Sequence, residues 1–210
     1  LFSLGVIDNS LLKFSLQRII PKSFETKYFT LLNIISHFDI LKFTLWFVIP
    51  AFIFRKQIDL SWFKISNLGK TDLTLLIVFA LICVSSLSAI FIFPSLSSYY
   101  SGIGSLPPQV KIIFTFRQIV WLISWLPGWE FLNRHLLLRA SENIYTKKGW
   151  LLVPIAETLY HLIKPLPEAM GMFIFSFIAT IYTVKKKNNI PAFLCHLLIE
   201  LGLIIILISF

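Results

Sequence analysis

Three stretches of the chain pair ionisable side chains four residues apart: Glu130 with Arg134, Glu157 with His161, and His196 with Glu200. Four residues is about one helical turn, so each pair lies on one face of a helix. Carboxylates beside imidazoles are what proton-transfer chemistry requires: a base to accept a proton and a second group to orient it or pass it on. Each pair is embedded in a run of apolar residues, and a charge held in hydrocarbon costs several kcal/mol, which makes it a functional hint by default. Three pairs on three helices can converge on one polar pocket inside a bundle. Lys164, Pro165, Pro167 and Glu168 follow the second pair.

Each of these features also has a structural reading. Glu130 and Arg134 can be an ion pair that clamps a helix end, since pairing is the usual fate of buried charge. His161 can be a core histidine bonded to a backbone carbonyl. Lys164 and Glu168 can be interfacial loop charges, and His135 can face lipid headgroups. Arg117 and Glu142 carry no motif and read as structural. What favours function is the repetition, with two histidines and several carboxylates one turn apart in otherwise apolar helices.

The elements that must position these groups follow from composition. The 210 residues are 57% hydrophobic and 14% charged, with 21 Phe, and the mean hydropathy is +0.81. Soluble domains carry about 25% charged residues, so this chain lacks the polar surface of a soluble monomer. Such hydrophobicity also excludes disorder. The two cysteines, Cys83 and Cys195, lie in apolar runs and do not form a disulfide framework. The net charge of +9 is spread as punctuation between hydrophobic runs, not clustered among polar residues as nucleic-acid binding requires. The composition therefore predicts an all-α, polytopic transmembrane bundle of about six to eight membrane helices, without nucleic-acid partners.

Spans are expected at 38–54, 72–94, 110–127, 149–163, 169–184 and 190–210, with residues 128–140 extending the third span or following a break at Pro127-Gly128, and Pro50 kinking the first. No repeat or low-complexity linker divides the chain, so residues 1–210 read as one membrane-embedded domain. Residues 38–210 form a helical core carrying the motifs. Loops 55–71, 128–148 and 185–189 hold 11 basic residues, whereas 95–109 and 164–168 hold only Lys164. By the positive-inside rule the first set is cytoplasmic. Residues 1–37, with Lys13, Arg18, Lys22 and Lys27, break the alternation. They form either an N-terminal arm on the membrane surface or an additional membrane helix. The chain begins at Leu1, which suggests a missing initial segment, and no signal peptide is visible.

The order Glu130-x-x-x-Arg134, then His161, then His196-x-x-x-Glu200 resembles the CAAX prenyl protease and bacteriocin-processing (CPBP/Abi) family of intramembrane glutamic endopeptidases. That family's motifs are Glu-Glu-x-x-x-Arg, Phe-x-x-x-His and His-x-x-x-Asn. The piece from Trp129 to Arg134 is similar to a bacterial branch with a single Glu in the first motif, as is the stretch from His161 through Lys164, Pro165 and Pro167 to Glu168. The resemblance covers roughly residues 60–208. Trp129 stands in place of the first Glu, Glu157 in place of Phe, Glu200 in place of Asn, and His135 where Gly often follows the Arg.

The resemblance implies an intramembrane endopeptidase in a bacterial cell membrane, with Glu130, Arg134, His161 and His196 catalytic. Beside it, the residues themselves make Glu157, Lys164, Glu168 and Glu200 candidates for a supporting role, Glu157 by supplying the carboxylate lost at Trp129. Such an enzyme needs an activated water, a general base and an oxyanion stabiliser. Glu130 is the expected base, holding a water with His161 or His196, and Arg134 fixes its orientation. No cofactor or metal is expected. The partners would be membrane lipids and a peptide or protein substrate, either prenylated or a leader peptide. Three other readings use the same residues: a zinc-dependent hydrolase with His161, His196 and Glu130 or Glu200 as ligands, an ion-coupled carrier, and a catalytically inactive family member that binds a partner in the membrane.

Overall fold

Pro127 and Gly128 sit where a helix would be expected to break, yet the chain passes through them. In the computed structural model, which describes residues 34–35, 37–64, 71–100 and 107–209, one continuous helical path, α4, runs from Pro108 to Tyr145. It is preceded by α1 (Ile40–Ile53), α2 (Thr71–Ile92) and α3 (Pro94–Tyr99). It is followed by α5 (Leu152–His161), α6 (Leu166–Lys186) and α7 (Ile190–Ser209). No β-strand forms among the described residues. Four helices, within α2, α4, α6 and α7, are long and apolar enough to cross a membrane. The protein is an all-α helical membrane protein. The expectations for residues 1–33 lie outside the described residues.

Gly128 has a packing role. A Cβ there would lie 3.0 Å from Trp46 Cβ, so its absence lets α1 approach α4 closely. In α1 the residues before Pro50 widen into a π-turn, Phe43–Val48, in which the Ile49 N–H reaches back five residues to the Thr44 carbonyl. That register relieves the clash a proline ring makes with the carbonyl four residues before it. A second π-turn, Leu132–Leu137, interrupts α4 just after Glu130. The Asn133 amide side chain donates to the Trp129 carbonyl there at 3.0 Å.

Two expected spans come out shorter. The first, at 38–54, is α1, a helix of about 21 Å. The one at 149–163 is not a span: residues Thr146–Leu151 form a 3₁₀ turn, and α5 has only 10 residues, about 15 Å against a hydrocarbon core of about 30 Å. Pro154 is tolerated in its first turn, and Pro165 caps α6. The resulting half-length helix ends inside the bundle and brings His161 to its C-terminal end.

The connections gather at two ends. The Asn189 N–H donates to the Trp62 carbonyl at 2.8 Å, Asn188 Nδ2 donates to the Lys64 carbonyl at 3.3 Å, and Arg139 donates to the Gln57 carbonyl. These bonds tie residues 57–64, the end of α4 and the α6–α7 turn together. At the other end of α6, the Tyr100 hydroxyl donates to Glu168 at 2.7 Å and Lys164 pairs with the same carboxylate. Between the ends, Trp46, Phe79, Trp129, Phe175, Tyr182 and Ala192 form the central core.

Candidate active site

Helices α4, α5 and α7 each carry one of the three pairs, and the fold brings them into contact. Arg134 is fully buried and bridges two carboxylates. Its Nη1 donates to Glu130 at 2.7 Å and to Glu157 at 3.0 Å, while Nη2 donates to the second oxygen of Glu157 at 2.9 Å. The two bonds to Glu157 form the parallel fork that a guanidinium makes with a carboxylate. The Phe175 ring covers the guanidinium at 5.0 Å. The other Glu130 oxygen accepts from His196 Nδ1 at 2.6 Å. The Nε2 of His196 lies 3.8 Å from Glu200, beyond hydrogen-bond length.

His161 is not bonded to this network through its side chains. Its Nδ1 lies 2.8 Å from the Glu157 carbonyl oxygen. That oxygen can only accept, so Nδ1 carries the proton and Nε2 is left as the basic atom. His161, His196 and Glu200 nonetheless line the same two cavities. One, of about 100 Å³, is also bordered by Tyr100, Glu168 and Gly171. The other, of about 270 Å³, is bordered by four tryptophans, Lys42 and Lys164. Glu130 instead borders a third cavity of about 360 Å³, almost wholly apolar, beside Phe63, Phe131 and Phe193. The His196 imidazole is therefore the link between Glu130 and the two-histidine cavities.

Glu130 contacts His196 directly, where the sequence expectation put a water between Glu130 and His161 or His196. Its two oxygens already accept from His196 and Arg134, and it does not border either cavity that holds His161. Lys164 and Glu168 form an ion pair, Lys164 bordering the larger of the two-histidine cavities and Glu168 the smaller. Burial works against the Lys164 ammonium, but the Glu168 and Glu200 carboxylates together hold its pKa above the ordinary lysine value. Burial and then the Glu168 charge raise the Tyr100 phenol in turn. His135 does not face headgroups. It is fully buried among Trp62, Phe63 and Phe131, and its Nε2 accepts from the Asp59 N–H at 3.2 Å.

Sequence reasoning missed Asp39 and Lys42, both buried and 3.9 Å apart at the start of α1. A hydropathy window averages two charges away. Their spacing of three, one turn of a helix, was the available signal. It also missed Trp125 and took Trp129 only as a motif departure; both wall the larger of the two-histidine cavities.

Among the described residues, no three His, Cys, Asp or Glu side chains are arranged to hold a metal ion. The Arg134 guanidinium occupies the place between two carboxylates that a cation would take. No protein-family model, curated protein or solved structure matches the chain.

Proposed function

We propose that the chain is an intramembrane endopeptidase of the CPBP/Abi type, a multi-pass protein of a bacterial cell membrane that hydrolyses a peptide bond with a histidine-activated water. The observation that carries this reading is the 2.6 Å contact between Glu130 and His196 Nδ1, beside a cavity that His161 also borders. A carboxylate on one nitrogen of an imidazole fixes the tautomer and stabilises the cation formed when the other nitrogen takes a proton. His196 Nε2 is then the base facing the cavity, and Glu130 acts through it. His196 takes a proton from water, the hydroxide attacks the carbonyl carbon, and the same proton passes to the leaving nitrogen as the carbon–nitrogen bond breaks. His161 Nε2 accepts from the attacking water and orients it. The Lys164 ammonium, bordering the larger cavity, is the donor available to the oxyanion. The substrate is a membrane-presented peptide or protein, either prenylated or a leader peptide.

The test is cleavage of membrane peptides by the purified protein in detergent, with and without a chelator. Activity should survive chelation. Glu130→Gln removes the charge behind His196 while keeping the size of the side chain, and should slow cleavage about 10²–10⁴-fold per folded molecule. A folded Glu130→Gln variant cleaving at the parent rate would remove Glu130 from the mechanism. Loss of activity on chelation, restored by zinc, would replace the reading with a metal enzyme.

A second reading has its own observation. Trp129 stands where the family's first motif carries its leading Glu, and its indole packs 6.3 Å from the His161 ring. A family member with an aromatic wall in that place can hold a partner without cleaving it. A parent protein that cleaves nothing, yet loses a membrane partner when His161 or His196 is replaced, would favour it.

A further inference from the structure

Glu200 differs from the other charged groups around the two-histidine cavities. It lies ten residues into α7 from Ile190, about 15 Å, and so near the middle of a helix long enough to cross a membrane. A carboxylate at that depth is costly unless a cation or hydrogen-bond donors meet it. The neighbouring charges are met: Lys42 pairs with Asp39 at 3.9 Å, and Lys164 pairs with Glu168. Glu200 makes no hydrogen bond among the described residues. It comes within 3.8 Å of His196 Nε2, and Lys164 acts on it only at longer range. Its side chain is 19% exposed and borders both cavities, of about 100 and 270 Å³. Once Lys42 and Lys164 are balanced by their partners, Glu200 leaves the lining one negative charge. His161 Nε2 adds an acceptor on the same two cavities. Two indoles flank these groups, Trp125 at 5.9 Å from the His196 ring and Trp129 at 6.3 Å from the His161 ring. An unmet carboxylate, an acceptor nitrogen and aromatic walls call for a ligand with a cationic donor head on an apolar stem.

We propose that the larger cavity binds a primary ammonium carried on an apolar stem, with the ammonium donating to the Glu200 carboxylate and the stem along Trp125 and Trp129. An ammonium has three N–H donors, so one is left for an imidazole nitrogen. As a substrate subsite it rests on the peptidase reading, and the ligand is then a lysine side chain beside the cleaved bond. As a binding site it is measured without catalysis.

The tryptophans themselves report occupancy. The full chain in non-ionic detergent is titrated with 4-bromophenethylamine, whose heavy atom quenches indole fluorescence on contact, and with the corresponding neutral alcohol. The amine should quench saturably and bind at least about tenfold more tightly than the alcohol, because a charge-assisted hydrogen bond is lost in the alcohol. Glu200→Gln should remove most of that preference, and a folded Glu200→Gln protein that keeps it would overturn the proposal. Equal affinity for amine and alcohol, or quenching by the amine that rises linearly without saturation, would overturn it from the parent protein alone, even if the variant does not fold. Equal affinity for the quaternary 4-bromophenethyltrimethylammonium would overturn it too, since aromatic walls and not hydrogen bonds to Glu200 would then hold the cation. Binding with no peptide cleavage sinks the peptidase reading alone, and cleavage with no binding of the amine sinks this one alone.

Discussion

Arg134 holds the site together by charge balance. Two buried carboxylates face one guanidinium, and the second oxygen of Glu130 accepts from His196 Nδ1. Removing one member of such a cluster leaves the others buried and unpaired, which typically costs about 3–5 kcal/mol. Arg134→Met should therefore destabilise by about that amount, read from thermal unfolding in detergent. Adding Glu157→Leu should recover part of the loss, because the stranded carboxylate goes with it. Arg134→Lys should fold better than Arg134→Met but lose cleavage, since one ammonium cannot form a fork with Glu157 and still reach Glu130. Equal stability of Arg134→Met and the parent would mean that the cluster is not energetically coupled. The bond between Glu130 and Arg134 was legible in the sequence, because both lie on one helix face. The bonds from Arg134 to Glu157 and from Glu130 to His196 were not, since they join residues 23 and 66 positions apart. No local pattern encodes such distances. What was readable was that three costly pairs had to find partners.

At the scale of elements, the length of α5 separates the expected from the observed bundle. Hydrophobicity placed a span at 149–163, but backbone sterics begin the helix at Leu152 and end it at His161. Gly149 explains the entry. A Cβ on it would meet the Ser141 carbonyl oxygen at 2.1 Å and the carbonyl carbon at 2.4 Å. The 3₁₀ turn before α5 therefore packs backbone to backbone against the end of α4, and neither side can yield by rotating a side chain. Gly149→Ala should destabilise by at least about 1–3 kcal/mol, the usual range for overpacking. Gly202→Ala is the control. Its Cβ would come 2.5 Å from Leu87 Cδ1, the end of a flexible side chain that can turn away. A thermal midpoint that falls for Gly149→Ala and barely moves for Gly202→Ala is the expected result. Equal effects would show that the α4–α5 turn is not the tight point. The glycine itself was visible in the sequence, but its contact with Ser141 depends on α4 continuing past Pro127, where the sequence left both continuation and a break open.

At the scale of the whole molecule, the two sets of loops that composition separates also separate in space. The bonds from Arg139 to Gln57, from Asn189 to Trp62 and from Asn188 to Lys64 collect the basic connections at one end. Tyr100, Lys164 and Glu168 gather at the other end of α6. The helix of α2 alone covers about 33 Å between its ends, enough to cross a hydrocarbon core. Basic loops stay on the cytoplasmic side because moving Lys and Arg across the bilayer is disfavoured. The expected orientation therefore puts residues 55–64 and 185–189 inside and residues 95–100 outside. Cysteine labelling in intact cells checks it, with Cys83 and Cys195, both buried, first replaced by serine. Lys185 and Ser97 are exposed at opposite ends of the bundle and serve as reporters. Lys187 is a poorer site, since its φ of 50° is a left-handed conformation that a cysteine adopts at a cost. A membrane-impermeant maleimide should modify Ser97→Cys in intact cells and modify Lys185→Cys only after the cells are opened. The reverse pattern would invert the molecule. His196 lies six residues into α7 from Ile190, about 9 Å from the basic end. Inversion would carry the candidate site from near the cytoplasmic side to near the opposite one, and with it the side from which a substrate must arrive.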